Sequence, residues 1–153
     1  MPYGIRTLFE ESVSQITATP SVALGTRRVE GANEYIYAYN ANTTAAVGYG
    51  VIASLNSGYS FSVTAAAGDS LMGVVQNTDF TAAYYGWLLT RGLARSIKST
   101  NAIAAGKPIA LSTAGVFEQV LTAEAGGCFV ACGVAISAIT SASTGPGFIN
   151  AVV

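Results

Sequence analysis

Apolar positions near the start of the chain recur at helical spacing: Ile5, Leu8, Phe9, Val13 and Ile16, with Arg6, Glu10 and Glu11 on other faces. The pattern suits a short amphipathic helix. It suits equally an extended arm that orders on a neighbouring molecule, because five apolar residues form no core alone. Pro20 ends any helix by the residue before it. From about residue 22 the period changes to two. "EYIYAYN" sets Tyr35, Tyr37 and Tyr39 on one face and Ile36 and Ala38 on the other, which predicts a strand. Further strands are expected at 49–55, 59–64, 71–76, 84–90, 93–98, 108–112, 116–121, 128–136 and 147–153. Turn signals separate them: "NSG" at 56–58, "AAGD" at 66–69, "STAG" at 112–115, "EAGG" at 124–127 and "TGPG" at 144–147. Many short strands between glycine turns predict an all-β fold, a sandwich or barrel of short antiparallel strands.

The order of features repeats. "VGYGVIASLNSGYSFSV" at 47–63 matches "AGKPIALSTAGVFEQV" at 105–120: glycine, apolar strand, small polar turn, second strand. Gly73-Val74 and Gly86-Trp87 follow the first stretch, and Gly133-Val134 and Gly147-Phe148 follow the second. Two hairpin-plus-return modules are therefore expected, at about 46–92 and 104–153, behind an N-terminal arm of residues 1–30. Chance similarity competes with this reading, since glycine and alanine are abundant.

Charge changes the picture. Only 10% of the 153 residues are ionic, against roughly 25% in an ordinary soluble domain. Either neighbouring molecules cover much of the surface, or Ser, Thr, Asn and Gly coat a monomer. With net charge −1 and no basic run beyond Arg27-Arg28, the chain offers little to a phosphate backbone, so no nucleic-acid partner is expected. No stretch suits a helical membrane span, and Glu10 and Glu11 stand where a secretion signal would carry its apolar core. Synthesis in a cytoplasm without a cleaved export signal is the expectation.

Candidate chemistry is thin. The chain has no histidine, the usual base for a serine or cysteine nucleophile. Most carboxylates lie in the arm or in turn signals, and Glu118 is the one set clearly on a predicted body strand. Glycines lead into strands rather than into a phosphate-binding helix. Cys128 and Cys132, four apart on a strand, would lie about 13 Å apart, beyond disulfide reach. Two thiols without histidine make a poor zinc site. Neither enzyme activity nor a cofactor or metal is expected. Arg91 and Arg95 share a strand face beside Tyr84 and Trp87, a pattern that serves an interface as well as it serves a solvated edge. Trp87 itself suits core packing, a contact surface or, less well, a carbohydrate platform.

The stretches "YGWLLTRGLARSIKSTNAIAAGKPIALSTAGVF" and "CGVAISAITSASTGPGFINAVV" resemble capsid decoration (cement) proteins of tailed bacteriophages. The likeness rests on Gly86-Trp87 to Gly92, the strand from Ile103 to Ile109, the Ser112 to Gly115 turn, Gly133-Val134-Ala135 and the closing Phe148 to Val153. "PSVALGTRRVEGANEYIYAYN" is similar to the openings of such proteins. The resemblance implies a non-enzymatic virion subunit, typically a homotrimer on the outer face of an icosahedral head, that bridges major capsid proteins. The contact residues expected on that reading are Ile5, Leu8, Phe9, Arg27, Arg28, Tyr35, Tyr37, Tyr39, Tyr84, Trp87 and Arg91. A tail-tube or head-completion protein, or a surface carbohydrate-binding module, are the alternatives.

Overall fold

A computed structural model describes residues 11–61, 72–76, 79–112, 115–120 and 132–150. Among them there is no helix, and eleven strands join one hydrogen-bonded, predominantly antiparallel sheet. The all-β expectation is met, and the arrangement is consistent with a sandwich of short strands. The strands are β1 (Ile16–Thr17), β2 (Arg27–Glu30), β3 (Asn33–Asn40), β4 (Ile52–Ser54), β5 (Ser60–Phe61), β6 (Met72–Val74), β7 (Tyr85–Lys98), β8 (Pro108–Leu111), β9 (Phe117–Gln119), β10 (Gly133–Ala135) and β11 (Thr144–Asn150).

The alternation in "EYIYAYN" becomes two buried faces. Tyr35 and Tyr37 enter one core, while Ile36 and Ala38 enter the other. β7 does the same over its first half, with Trp87 and Leu89 on one side and Leu88 on the other. The strands expected at 84–90 and 93–98 are one 14-residue strand. Gly92 does not end it, because the strand takes φ +115 there and continues. β3 pairs with the first half of β7 and β11 with the second.

The hydrogen bonding is duplicated, with β7 shared between the copies. β3, β4, β5, β6 and the first half of β7 form one module. The second half of β7 with β8, β9, β10 and β11 forms the other. Tyr39 pairs with Tyr85 as Lys98 pairs with Thr144. Ile52 pairs with Val74, and Ala53 with Gly73, as Pro108 pairs with Val134 and Ile109 with Gly133. The isolated bridge Val47–Phe80 has its counterpart in Ile103–Ile139, and the parallel Asn40–Phe61 pair in Ser99–Phe117. Even the strained turns correspond: Ala83 and Ala142 both sit at positive φ, as do Gly50 and Gly106.

This corrects the module bounds read from sequence. The copies begin at β3 and at the middle of β7, rather than at 46 and 104. Val47 corresponds to Ile103 rather than to Ala105, a slip that the abundance of glycine and alanine conceals. The hairpin expected at 105–120 is the β8–β9 pair. At 47–63 the Asn56 N–H donates to the Ser60 carbonyl across the turn, while β4 pairs with β6 and β5 runs parallel to β3.

The two cores follow from the duplication. Ala38, Val47, Ala53, Leu55, Phe61, Val75 and Phe80 are buried in the first module. Their counterparts Ile97, Ile103, Ile109, Leu111, Phe117, Ala135 and Ile139 are buried in the second. The second core also takes in Tyr35, Tyr37, Ile52, Val74, Trp87 and Leu89, the opposite face of the first module. The modules are therefore stacked, one's back on the other's front.

Residues 11–30 are not a detached arm. Ile16 and Thr17 pair with Gly86 and Tyr85, and Arg27 to Glu30 pair with Ile36 to Asn33. No helix includes Val13 or Ile16, and both pack against the body. Residues 1–10, with Ile5, Leu8 and Phe9, lie outside the described residues.

Candidate interaction surface

The aromatic residues expected at a contact surface are largely internal. Tyr37 and Trp87 keep 1% and 2% of their surface exposed, and Tyr35 is buried beside them. Tyr37 and Trp87 meet edge to face with ring centroids 5.0 Å apart, a preferred aromatic geometry. The Tyr37 hydroxyl accepts hydrogen bonds from the Ser21 N–H and hydroxyl. These three rings have no surface to offer a partner, which corrects their assignment as contacts. Their alternation with Ile36 and Leu88 leaves no polar face, which is the signal in the sequence for a strand buried on both sides. Tyr39 and Tyr84 are half-buried: Tyr39 lies 4.6 Å from Tyr85 between ring centroids, and Tyr84 packs on the first core.

Trp87 anchors the chain's opening. Its indole N–H donates to the Glu11 carboxylate at 3.2 Å. Arg28 lies over the ring at 5.7 Å from the centroid, donates to the Glu11 carbonyl and pairs with Glu30. A cation over a tryptophan face is attracted to the ring's negative quadrupole. The arginine over this ring is Arg28, from a strand that period-two reading did not mark. With its ring covered in this way, Trp87 is no platform for a sugar. Arg27 is exposed on β2. Arg91 is exposed and pairs with Glu34 at 3.3 Å, a solvent-facing bridge worth little.

An open cleft of about 350 Å³ lies between the opening segment and the sheet, lined by polar groups of Ser12, Ser14, Glu30, Asn33, Gln76 and Arg95. Its groups are bonded to the backbone around it: Asn33 bonds both ways with the Leu93 peptide, and Gln76 accepts from the Arg95 N–H and donates to the Ser96 carbonyl. Such groups fix loops to β7 and converge on no common point. Among the described residues no three of His, Cys, Asp and Glu gather as a metal site. Cys132 is buried, and loss of solvation raises its thiol to about 11. The fully protonated thiol at neutral pH behaves as a small apolar side chain. Cys128 lies outside the described residues.

The surface feature missed in the sequence is a row of apolar side chains. Leu93, Phe148 and Val134 are cross-strand neighbours on β7, β11 and β10. They stay 49%, 45% and 40% exposed, with Ile136 at 49% just beyond β10. Arg91 and Arg95 flank Leu93 on the same face of β7, since side chains two apart point alike. Sequence spacing held the signal for β7, in "RGLAR", but only the register brings residues 93, 134 and 148 together. The chain matches no known protein-family model and no curated protein.

Proposed function

We propose that this chain is a structural virion subunit, a capsid decoration protein that binds the outer face of an icosahedral head and bridges its major capsid proteins. The charge-poor surface carries this reading. Ionic residues make up 10% of the chain, and Leu24, Val29, Leu93, Val134, Ile136 and Phe148 stand exposed. Such a surface gains by being covered, because each apolar area removed from water contributes about 25 cal/mol per Å². The doubled β body supports the reading too, since two stacked modules make a rigid strut. Many weak contacts repeated over a lattice sum through effective concentration.

The test uses heads of the virus that encodes this chain, assembled without it. The purified chain is expected to sediment with them and to raise the temperature at which they release DNA. Failure to co-sediment overturns the proposal. A second variant lacking residues 2–10 keeps every described strand pairing, and is expected to bind heads more weakly if the opening residues reach a neighbour.

A further inference from the structure

We infer that the row Leu93–Phe148–Val134, with Ile136, is a contact surface for a second copy of this chain, set face to face by a two-fold rotation. The inference goes beyond shell binding and does not depend on it, and a two-fold pair takes the place of the homotrimer that the resemblance implies.

The duplication is the first argument. In the second module the row runs Pro108, Val134, Phe148, Leu93 through successive strand pairings. The first module has the equivalent row Ile52, Val74, Leu89, Tyr35, through equivalent pairings. That first row is buried in one cluster with residues of the other module, and Val13 and Val22 of the opening segment pack on the same cluster. The second row keeps apolar residues at the same places and is open. Material of this chain already forms the partner of one row.

Size is the second argument. Four half-exposed apolar side chains make a patch on the order of a few hundred Å², at the upper end for a lone monomer. A stable interface takes roughly 800 Å² from each partner. The row therefore suits the apolar centre of a standard interface, with arginine stems and small polar groups as the rim.

Charge is the third. The row has a basic end on β7, where Arg95 is exposed and Arg91 is paired with Glu34. On the far side, Glu118 on β9 is the cross-strand partner of Ala110, two residues along β8 from Pro108, and so lies on the same face. At about 4.8 Å per strand, four steps separate β7 from β9 by about 19 Å. A two-fold axis through the middle of the row places each basic end over the other copy's acidic end. A surface complementary to itself in this way is what an isologous contact requires.

Sedimentation equilibrium of the purified full-length chain, from about 1 to 100 µM, tests the inference. The wild type is expected to approach twice its chain mass as concentration rises. Phe148→Asp is expected to abolish the doubled species while leaving the far-ultraviolet circular dichroism unchanged, and to remove the rise of melting temperature with concentration that a self-associating wild type shows. Arg95→Glu is expected to weaken association, and Arg95→Glu combined with Glu118→Arg to restore it. A wild type of single-chain mass throughout overturns the inference, including the case where capsid protein alone binds that single chain. So does an oligomer indifferent to Phe148→Asp.

Discussion

Replacing Gly92 by alanine isolates the joint between the two modules. Gly92 holds φ +115 in the middle of β7, a region that side-chain-bearing residues avoid at a cost of about 1–3 kcal/mol. A Cβ there would lie 2.2 Å from the Asn33 Oδ1 and 2.7 Å from the Ala32 carbonyl oxygen. The second neighbour is backbone, so the β2–β3 turn must move rather than a single side chain. Moving Asn33 breaks its bond from the Leu93 N–H, 2.7 Å long, worth about 0.5–1.5 kcal/mol. Together these effects amount to about 1.5–4.5 kcal/mol, a large part of the 5–15 kcal/mol that holds a typical domain. Urea unfolding followed by Trp87 fluorescence and by far-ultraviolet circular dichroism measures the loss. Asn33→Ala, which removes the hydrogen bonds but adds no atom, is expected to cost less than half as much. A Gly92→Ala variant within about 0.5 kcal/mol of wild type would refute the claim that β7 needs this conformation to serve both modules.

Two further outcomes follow from the cores. In a Cys128→Ser background, Cys132 is expected to resist a thiol reagent at pH 8 until the protein unfolds, because its acidity is displaced to about 11. The linked stability is complete below the ordinary thiol value of 9.0 and is lost as pH rises toward 11; a thiol that reacts at pH 8 without unfolding would contradict the burial. The duplicated phenylalanines Phe61 and Phe117, both fully buried, are expected to lose similar stability on change to leucine, about 1–2 kcal/mol each in urea. A cost at one site and none at the other would mean that the two modules pack by different rules.

The sequence revealed what is local and concealed what depends on pairing. Period-two runs located β3, β4, β6, β8 and β9, and the "NSG" turn marked the end of β4, because side-chain alternation and backbone freedom are properties of neighbouring residues. The turn expected at 144–147 is instead the start of β11, and those at 66–69 and 124–127 lie outside the described residues. β1 and β2 escaped notice. β1 is two residues long, and β2 reads Arg-Arg-Val-Glu with Val29 exposed, so neither shows an apolar alternation. The tyrosines were placed on one face correctly and given the wrong surroundings. A strand carrying aromatic residues on one side and aliphatic ones on the other has no polar face, and both sides of β3 are covered. The exposed row lies at the other extreme, since three residues far apart in the chain meet only through the register of β7, β11 and β10.

The divergence between the modules follows from their positions in the stack. A duplicated unit begins with two equal outer faces, and stacking buries one of them. On the first module that face has become Tyr35, Ile52, Val74 and Leu89, with Tyr37 and Trp87 beside them, all inside the chain. Once buried, such a face tolerates no charge without a partner. On the second module the face admits Arg91 and Arg95 at its margin, which a buried layer would reject, yet retains leucine, valine and phenylalanine at its centre. Water alone would favour polar residues at all of these places, since the solvated face of an antiparallel sheet is ordinarily its polar one. Apolar residues at the centre and arginine at the edge are the composition that the proposed contact between copies requires.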